Sequence, residues 1–478
     1  METATQALHR LTSYEPGREW TDPVADPRVL QDLVVNDMSR FPWFYKRYPA
    51  GLPQVPLPRE LPVTNTPAVA ALAGTDGDEP TSAGLEQLSR LLYWSAGVVR
   101  TAERADLRYL FRAAGSAGAR FPLELYVAVP EGGALPAGVH WYDPLEHALV
   151  RVGPAPGGAA TRAPAVLVTG VPWRTGWRYR ERGYRHVYWD AGTMLAQLLA
   201  LADSAGLTAR LYTRFPDAAV AALTGAAGPD EFPVAVVGLG DDAPALDASG
   251  QPAAGEVDAA PVEFPLVTAA QRAGESDRLG EPWQRGAPTA VPLTASAPVE
   301  AVIAARGSQR RMDPARGLPE DVLRTCMNVA LRGISVPHWV VVHDVEGLVQ
   351  GVYRWPDMTA PVRDGALRDE VYRVCLDQRL ARDAAFVAIA ATDVSALSDQ
   401  QYREAQLAAG IAEGRLHLAA YALGASATGM TFLDSEVPAL LGEQCDGLLF
   451  TCVGVPSYTS AAAGRPGAPS LIRMVRSG

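Results

Sequence analysis

The chain has 478 residues, of which 48% are hydrophobic and 20% are charged, a composition typical of a globular protein with more than one domain. Its formal net charge of −11, without a basic stripe, argues against a nucleic-acid partner. No apolar run reaches the roughly 18 residues of a membrane span and no signal-peptide pattern is visible, so we expect a cytoplasmic protein without a membrane partner.

Residues 1–84 are predicted to form an N-terminal arm that is rich in proline. The stretch YKRYPAGLPQVPLPRELP contains too many prolines for a central strand, because proline lacks the amide hydrogen that strand pairing needs. We therefore expect an extended segment that packs on the surface of a first domain, which covers residues 85–240.

A run of very small residues lies inside this first domain, in the stretch RAAGSAGARFPLELYVAV at 112–129. The alternation that follows the run predicts a strand. Small side chains allow either another backbone or a flat ligand to come close. The stretch alone leaves both alternatives open.

The two halves of the chain resemble each other. Each contains a long apolar helix, at 191–205 and 409–423, followed by a glycine and a short strand. Gly192 and Gly410 are 218 residues apart, and so are Gly206 and Gly424. We therefore expect two related α+β domains that form a pseudo-symmetric pair within one chain. A connector over 241–297, ordered in parts, precedes the second domain, which covers 298–478 and ends in a flexible tail.

The stretch RGSQRRM near the start of the second domain places Arg306, Ser308 and Arg310 within five residues. Guanidinium groups offer rigid forked donors that suit a phosphate, so the stretch predicts a phosphate clamp. The alternative is a solvated basic run. The corresponding place in the first half, LPVTNTPAVAAL, has no arginine, and we expect one such site rather than two.

The first half of the chain resembles the SagB-type dehydrogenases of the FMN-dependent nitroreductase superfamily. The resemblance lies in the stretches KRYPAGLPQVPLP, LLYWSAGVVR, RAAGSAGARFPLELYVAV, GVHWYDPLEHAL and YRERGYRHVYWDAG. The second half resembles the broader superfamily through RGSQR, LDQRLARDAAFVAI and GASATGMTF. The resemblance implies two nitroreductase-like domains, each an antiparallel or mixed sheet wrapped by helices, that form an intramolecular pseudo-dimer. It also implies FMN as the cofactor, bound between the two domains.

The resemblance further implies which residues would contact FMN, since one subunit of such a pair grips the phosphate and the other lies beneath the ring. The implied set is Arg306, Ser308, Arg310 and Arg465 for the phosphate, Ser116, Ala117, Gly118 and Arg120 beneath the ring, Asp377 and Gln378 at its polar edge, and Ala427, Thr428 and Gly429 near its reactive nitrogen.

SagB-type enzymes oxidise thiazolines or oxazolines in a precursor peptide to thiazoles or oxazoles, alongside a cyclodehydratase and a leader-binding protein. The resemblance implies that substrate and those partners here, with oxygen as the acceptor. Related azoline oxidases have a Lys-Tyr pair where this chain has Arg178 and Tyr179. Arginine is too basic to accept a proton, so we expect Tyr179 to serve as base or relay, its pKa lowered by Arg178, Arg180 and Arg182. The alternative is a solvated basic turn.

Two other functions stay open: an NAD(P)H-dependent nitroreductase or quinone reductase, and a non-catalytic scaffold subunit of a peptide-modifying complex. The seven histidines form no spaced cluster with cysteine or aspartate, which predicts no metal site. His417 lies on the second apolar helix and is expected in the core. The oligomeric state is open, because an internal pair can still dimerise.

Overall fold

The computed structural model describes residues 2–19, 23–77, 81–104, 107–158, 162–294 and 297–475. The helices are α1 (Ala4–Leu11), α2 (Ala68–Ala73), α3 (Leu85–Ala96), α4 (Pro172–Tyr179), α5 (Gly183–Ser204), α6 (Asp217–Thr224), α7 (Pro265–Ala273), α8 (Val299–Ala305), α9 (Glu320–Ala330), α10 (Arg368–Val374), α11 (Arg379–Asp383), α12 (Asp399–Ala422) and α13 (Val437–Leu441).

The strands are β1 (Gln54–Pro56), β2 (Val98–Arg104), β3 (Leu107–Arg112), β4 (Leu123–Val129), β5 (Gly138–Asp143), β6 (Ala148–Gly153), β7 (Ala165–Gly170), β8 (Ala209–Tyr212), β9 (Phe232–Leu239), β10 (His338–Val342), β11 (Gly351–Arg354), β12 (Arg363–Asp364), β13 (Phe386–Thr392), β14 (Ser426–Met430), β15 (Asp446–Gly454) and β16 (Ser470–Leu471).

The two large sheets repeat one strand order. The first sheet runs β1-β6-β5-β4-β7-β9-β8 and the second runs β12-β11-β10-β13-β15-β14. Neighbouring strands are antiparallel in both. Apart from β1, an extra edge strand from the arm, every strand of one sheet has a counterpart in the other. The expectation of two related α+β units is confirmed, and we call them the first and second lobes.

The central strands of the first sheet are nearly continuous apolar runs. The strands β4, β7 and β9 read LELYVAV, AVLVTG and FPVAVVGL, and every position in them is buried. A strand with one wetted face would alternate apolar and polar residues, so these sequences indicate a sheet that is covered on both faces. The lobe therefore forms its core around this sheet.

The two longest helices, α5 and α12, cross at the centre of the molecule. A Cβ atom on Gly192 would lie 2.5 Å from the carbonyl carbon of Gly410, and one on Gly410 would lie 2.5 Å from the Trp189 oxygen. The Trp189 indole also donates to Gln406 Oε1 at 2.7 Å. The glycines that the internal repeat relates are thus the ones that meet, as expected at a two-fold axis.

The arm and the second lobe are held to the first lobe by buried polar contacts. Arg182 and Arg185 each donate to the Asp434 carboxylate at 2.6 Å. The same carboxylate accepts the Tyr14 amide at 2.7 Å. These three residues come from the first lobe and the arm, whereas Asp434 belongs to the second lobe. The ion pairs therefore join distant parts of the chain.

The C-terminal segment returns from the second lobe to the first. There β16 pairs in parallel with β2, and β2 pairs with β3 in a small third sheet. The amide of Gly464 also donates to the Val99 oxygen at 2.8 Å. Among the described residues, no helix is long and apolar enough to cross a membrane.

Candidate functional site

A cleft of about 680 Å³ lies between the two lobes. Its walls come from the small-residue loop 113–119 and α5 of the first lobe, and from residues 306–310, α12 and β14 of the second lobe. The C-terminal segment 458–475 closes another side. The volume falls within the range of about 300–1,000 Å³ that is usual for small-molecule and cofactor sites.

The small-residue loop is held in place by Asp190 on α5. The Asp190 carboxylate accepts the Ser116 hydroxyl at 2.5 Å and the Ala117 amide at 2.9 Å. Burial raises the pKa of Asp190 well above its usual range. Gly118 has a φ of +59°, a conformation that favours glycine over residues with a side chain. The sequence of the loop and the Asp190 carboxylate together set the shape of this wall.

Arg306 connects the two lobes at the cleft. Its Nη2 donates to the Ala113 oxygen of the loop, and its Nη1 lies 3.3 Å from His417 Nδ1. The Nε atom is buried and has no hydrogen-bond partner among the described residues. Burial, reinforced by the nearby Arg100, lowers the pKa of Arg306 to about 10. The guanidinium is still charged at neutral pH, yet no described carboxylate forms an ion pair with it.

Further cations border the same part of the cleft. Arg100 is buried and donates to the oxygens of Ala461 and Ala304 at 2.6 and 2.7 Å. Arg310 and Arg473 are exposed at the cleft wall, and the Arg310 amide donates to the Tyr458 hydroxyl at 3.1 Å. Together with Arg306, these arginines line one cleft, and two of them, Arg100 and Arg306, are buried and close enough to affect each other, which suits an anionic group.

The opposite wall is formed by β14 and by α12 behind it. The Thr428 hydroxyl donates to the Gln309 oxygen at 2.7 Å. Gly429 follows, and a Cβ atom there would overlap the Glu413 carboxylate, so only glycine lets that carboxylate pack against the strand. Gln378 lies on the same side and donates to the Cys375 oxygen at 3.0 Å.

Most of the residues expected at the site line one cleft. They are Ser116, Ala117, Gly118, Arg178, Tyr179, Arg306, Ser308, Arg310, Gln378, Thr428 and Gly429. Their contact with a cofactor stays a prediction.

Four expected residues are not part of the cleft lining. The Arg120 guanidinium stacks over Phe41 and Trp177, at 4.6 and 4.9 Å from the ring centroids. Ala427 is buried in β14, and Asp377 is exposed beside Gln378. Arg465 is exposed in a turn, where its backbone pairs with Ala468. The cleft instead contains Arg473 and Arg100 as additional cations.

The pKa expected for Tyr179 was wrong in direction. Burial raises the pKa of Tyr179 and outweighs the opposing effect of Arg178. The two other arginines are directed elsewhere, since Arg182 pairs with Asp434 and Arg180 donates to the Leu33 oxygen at 2.6 Å. The phenol is therefore protonated at neutral pH and is a hydrogen-bond donor rather than a base.

Sequence reasoning missed several polar side chains of the cleft, among them Arg100, Asp190, Glu413 and Arg473. Asp190 and Glu413 lie on α5 and α12, which are buried at most positions, so the apolar pattern drew attention away from their polar residues. The Glu413–His417 spacing of four residues was the available signal, because residues at that spacing share one helix face.

The pseudo-symmetric counterpart of the cleft is filled by the connector. Gly333 stands five residues before β10, as Gly118 of the small-residue loop stands five residues before its counterpart β4. A Cβ atom on Gly333 would lie 2.5 Å from the Gln284 oxygen. The Thr289 amide donates to the Ala73 oxygen at the end of α2, the counterpart of α8. Arg285 forms an ion pair with Asp203 beside it. The segment 283–289 thus lies across the pseudo-symmetric counterpart of the cleft.

Comparison with known proteins shows the class of fold. A structure assigned as a nitroreductase from Anabaena variabilis aligns over 95% of this chain and 100% of its own, at 22% identity and a TM-score of 0.67. This likeness establishes a nitroreductase-like α+β fold with two lobes in one chain. A chain of the Escherichia coli microcin synthetase McbBCD complex aligns with 47% of this chain, at 19% identity and a TM-score of 0.28.

A curated relative adds similarity at the level of sequence. A protein assigned as a nitroreductase from Methanocaldococcus jannaschii is 35% identical over 135 residues, which are 26% of this chain. The match spans 65% of the length of that relative. No protein-family model matches the chain.

Proposed function

We propose that this protein is an FMN-dependent oxidoreductase that binds one flavin in the cleft between its lobes. The observation that supports it best is the buried Arg306 guanidinium, whose Nε is unpartnered and which forms no direct ion pair with a described carboxylate, although Glu413 acts on it from a greater distance. A flavin phosphate would supply the missing negative charge, and the loop of small residues would admit a flat ring. The nitroreductase-like fold and the curated relative agree with this class of chemistry.

The residues present fit such a cofactor by their chemistry. Arg306, Ser308 and Arg310, with Arg100 and Arg473 nearby, would hold the phosphate, while the loop at 113–119 and the β14 wall would enclose the ring. A bound flavin supplies an acceptor for a hydride and passes two electrons to a second substrate. Asp190 keeps the loop in position, and the C-terminal segment limits the access of water.

We further propose that the substrate is an azoline of a ribosomally made precursor peptide, oxidised to a thiazole or oxazole with oxygen as acceptor. This finer assignment is supported by the resemblance of residues 91–240 to SagB-type dehydrogenases. A cyclodehydratase and a leader-binding protein as partners are implied by the same resemblance, and the location that we propose for this reaction is the cytoplasm. The phenol of Tyr179 would orient the substrate as a donor, and Arg178 would assist it by charge.

Absorbance of the purified protein tests the cofactor, since FMN gives a yellow solution with two visible bands. A thiazoline peptide under air, without NAD(P)H, then tests the reaction, which should yield a product lighter by two hydrogens. Turnover of quinones or nitro compounds that requires NAD(P)H, with no peptide oxidation, would establish the nitroreductase alternative. A colourless protein that does not take up FMN would leave the scaffold alternative.

A further inference from the structure

Glu413 and His417 form a pair on α12 that the proposed cofactor contacts do not use. Glu413 Oε1 lies 3.5 Å from His417 Nε2, one helical turn away. The Glu413 side chain is 13% exposed, whereas His417 is 2% exposed. Glu413 lines the cleft and His417 lies behind it. The pair therefore places the Glu413 carboxylate inside the cleft, next to the buried imidazole of His417.

The hydrogen positions of this pair follow from its neighbours. Arg306 Nη1, at 3.3 Å from His417 Nδ1, can only donate, so Nδ1 must accept. Burial lowers the pKa of His417, which leaves the imidazole neutral at pH 7. A neutral imidazole that accepts at Nδ1 carries its hydrogen on Nε2, the atom that faces Glu413. His417 thus directs an N–H towards the Glu413 carboxylate at 3.5 Å, which is longer than an ordinary hydrogen bond.

The position of Glu413 suits a reaction on a bound substrate. Its carboxylate packs against Gly429 of the cleft wall. Its charge acts on Asp190, Arg306 and His417: Glu413 contributes to the raised pKa of Asp190 and opposes the lowering of the pKa of Arg306 and His417. No other described carboxylate of the cleft is as free, because Asp190 accepts two hydrogen bonds from the loop.

The other titratable side chains of the cleft are less suited to accept a proton. The pKa of Tyr179 is raised by burial, so its phenol keeps its hydrogen. The pKa of His186 is lowered well below its usual value by burial and by Arg182, Arg185 and Arg178, which makes it a weak base. Arg178 has no acceptor atom.

We propose that Glu413 accepts the proton in the dehydrogenation, and that His417 is its positioning residue. This inference rests on the proposed function. The azoline ring loses two hydrogens and gains one double bond. One hydrogen leaves with its electron pair as a hydride, for which the proposed flavin is the acceptor, and the other leaves as a proton to the Glu413 carboxylate. Oxygen then takes the two electrons and two protons as hydrogen peroxide.

The test compares Glu413→Gln with Glu404→Gln, a change on the same helix where the carboxylate accepts the Thr213 hydroxyl outside the cleft. Because a positioned base contributes about 100-fold or more, the rate of flavin bleaching by an azoline peptide without air should fall about 100-fold in Glu413→Gln. FMN affinity, measured by fluorescence quenching, and reoxidation of dithionite-reduced enzyme by oxygen should match the wild type. Glu404→Gln should leave all three quantities unchanged.

His417→Ala should lower kcat about 10-fold with the peptide KM unchanged, and His417→Gln, which retains a donor, should recover part of that loss. Wild-type bleaching rates in Glu413→Gln would overturn the assignment of the base while leaving the proposed function intact. If the wild type binds no FMN or oxidises no azoline, the proposed function fails first. A fall in FMN affinity that accounts for the whole effect would make Glu413 a cofactor ligand and would also overturn the inference.

Discussion

At the scale of single residues, Arg306 explains why the two lobes would need each other to bind a cofactor. Its side chain begins in the second lobe, donates to the Ala113 oxygen of the first lobe and keeps an unpartnered Nε. A buried cation without a carboxylate costs stability unless a ligand compensates it. The residue is therefore the strongest support in the structure for the proposal that the cleft binds an anionic ligand.

Removing the clamp should release the cofactor without unfolding the protein. For Arg306→Ala with Arg310→Ala, we expect FMN to bind at least about 100-fold more weakly, since charge-assisted hydrogen bonds contribute roughly 1.5–3 kcal/mol each. Fluorescence quenching measures this affinity, and circular dichroism checks the fold. Arg311→Ala is the matched control, because Arg311 lies next to the clamp but outside the cleft lining. Full flavin retention in the double variant would refute the clamp.

Tyr179 should act through its hydrogen rather than through its ionised form. Its hydroxyl lies over the loop, 2.6 Å from where a Cβ atom on Gly118 would be. Because burial raises its pKa, Tyr179→Phe should slow turnover by about 10-fold, the worth of one hydrogen bond, with no loss of FMN. Steady-state rates and flavin content measure both effects. Tyr372→Phe is the control, because Tyr372 lies outside the cleft lining, and it should change neither the turnover rate nor the flavin content. A wild-type turnover rate in Tyr179→Phe would show that Tyr179 has no part in the mechanism.

The Asp434 ion pairs should make the free energy of unfolding depend on pH. Arg182 and Arg185 help hold the pKa of Asp434 at about 2, below the value of about 3.9 in an unfolded chain. A lowered pKa stabilises the fold above the unfolded value, and this contribution is lost as the pH falls from about 5 towards 2. Asp434→Asn should cost about 3–5 kcal/mol at neutral pH, because it leaves two buried cations with a neutral partner.

Urea unfolding at pH 7 and at pH 3 measures this contribution. The difference between wild type and Asp434→Asn should shrink at the lower pH. Asp241→Asn serves as the control, since Asp241 pairs with Arg210 at 2.8 Å on the exposed surface, where an ion pair contributes at most about 1 kcal/mol. Equal costs for the two substitutions would contradict the role given to Asp434.

At the scale of elements, the crossing of α5 and α12 sets the distance between the lobes. A side chain at Gly192 would meet the backbone of Gly410 rather than a flexible group, so the helices would have to separate. We expect Gly192→Ala to destabilise the protein by about 1–3 kcal/mol and to widen the cleft, which would also weaken FMN binding. Gly84→Ala is the control, because a Cβ atom there meets nothing within 4 Å. A wild-type melting temperature in Gly192→Ala would contradict this packing.

Element by element, the sequence predicts the parts whose pattern is local. The repeat of a long helix, a glycine and a short strand was enough to predict two related lobes. The contact of Gly192 with Gly410 was not predicted, although the repeat aligns the two glycines. The path of the C-terminal segment could not be predicted from the sequence, because β16 pairs with β2, which lies about 370 residues earlier in the chain. For that reason Arg473 was missed, whereas Arg465 was assigned to the site.

The sequence pattern also led to a wrong prediction where burial determines the pKa of a side chain. The arginines around Tyr179 suggested a lowered pKa, but burial dominates, and Arg182 is paired elsewhere. Likewise His417 is buried as expected of a core residue, yet its two nitrogens face Arg306 and Glu413. Such three-dimensional neighbours leave little trace in one sequence.

At the scale of the whole molecule, the pseudo-dimer is asymmetric. One cleft has Arg306 and the small-residue loop, whereas the connector segment 283–289 lies across its counterpart. A homodimer with identical subunits would keep two equal sites. Joining the lobes in one chain lets one site change while the other is preserved, and this arrangement supports the expectation of a single cofactor per chain.

The central claim is that the two lobes enclose one flavin, gripped by arginines of the second lobe and bordered by small residues of the first. The most direct measurement is the absorbance spectrum of protein saturated with FMN and then desalted, together with the ratio of released FMN to chain. The account predicts one FMN per chain. A protein that remains colourless, or one that retains two FMN per chain, would contradict it.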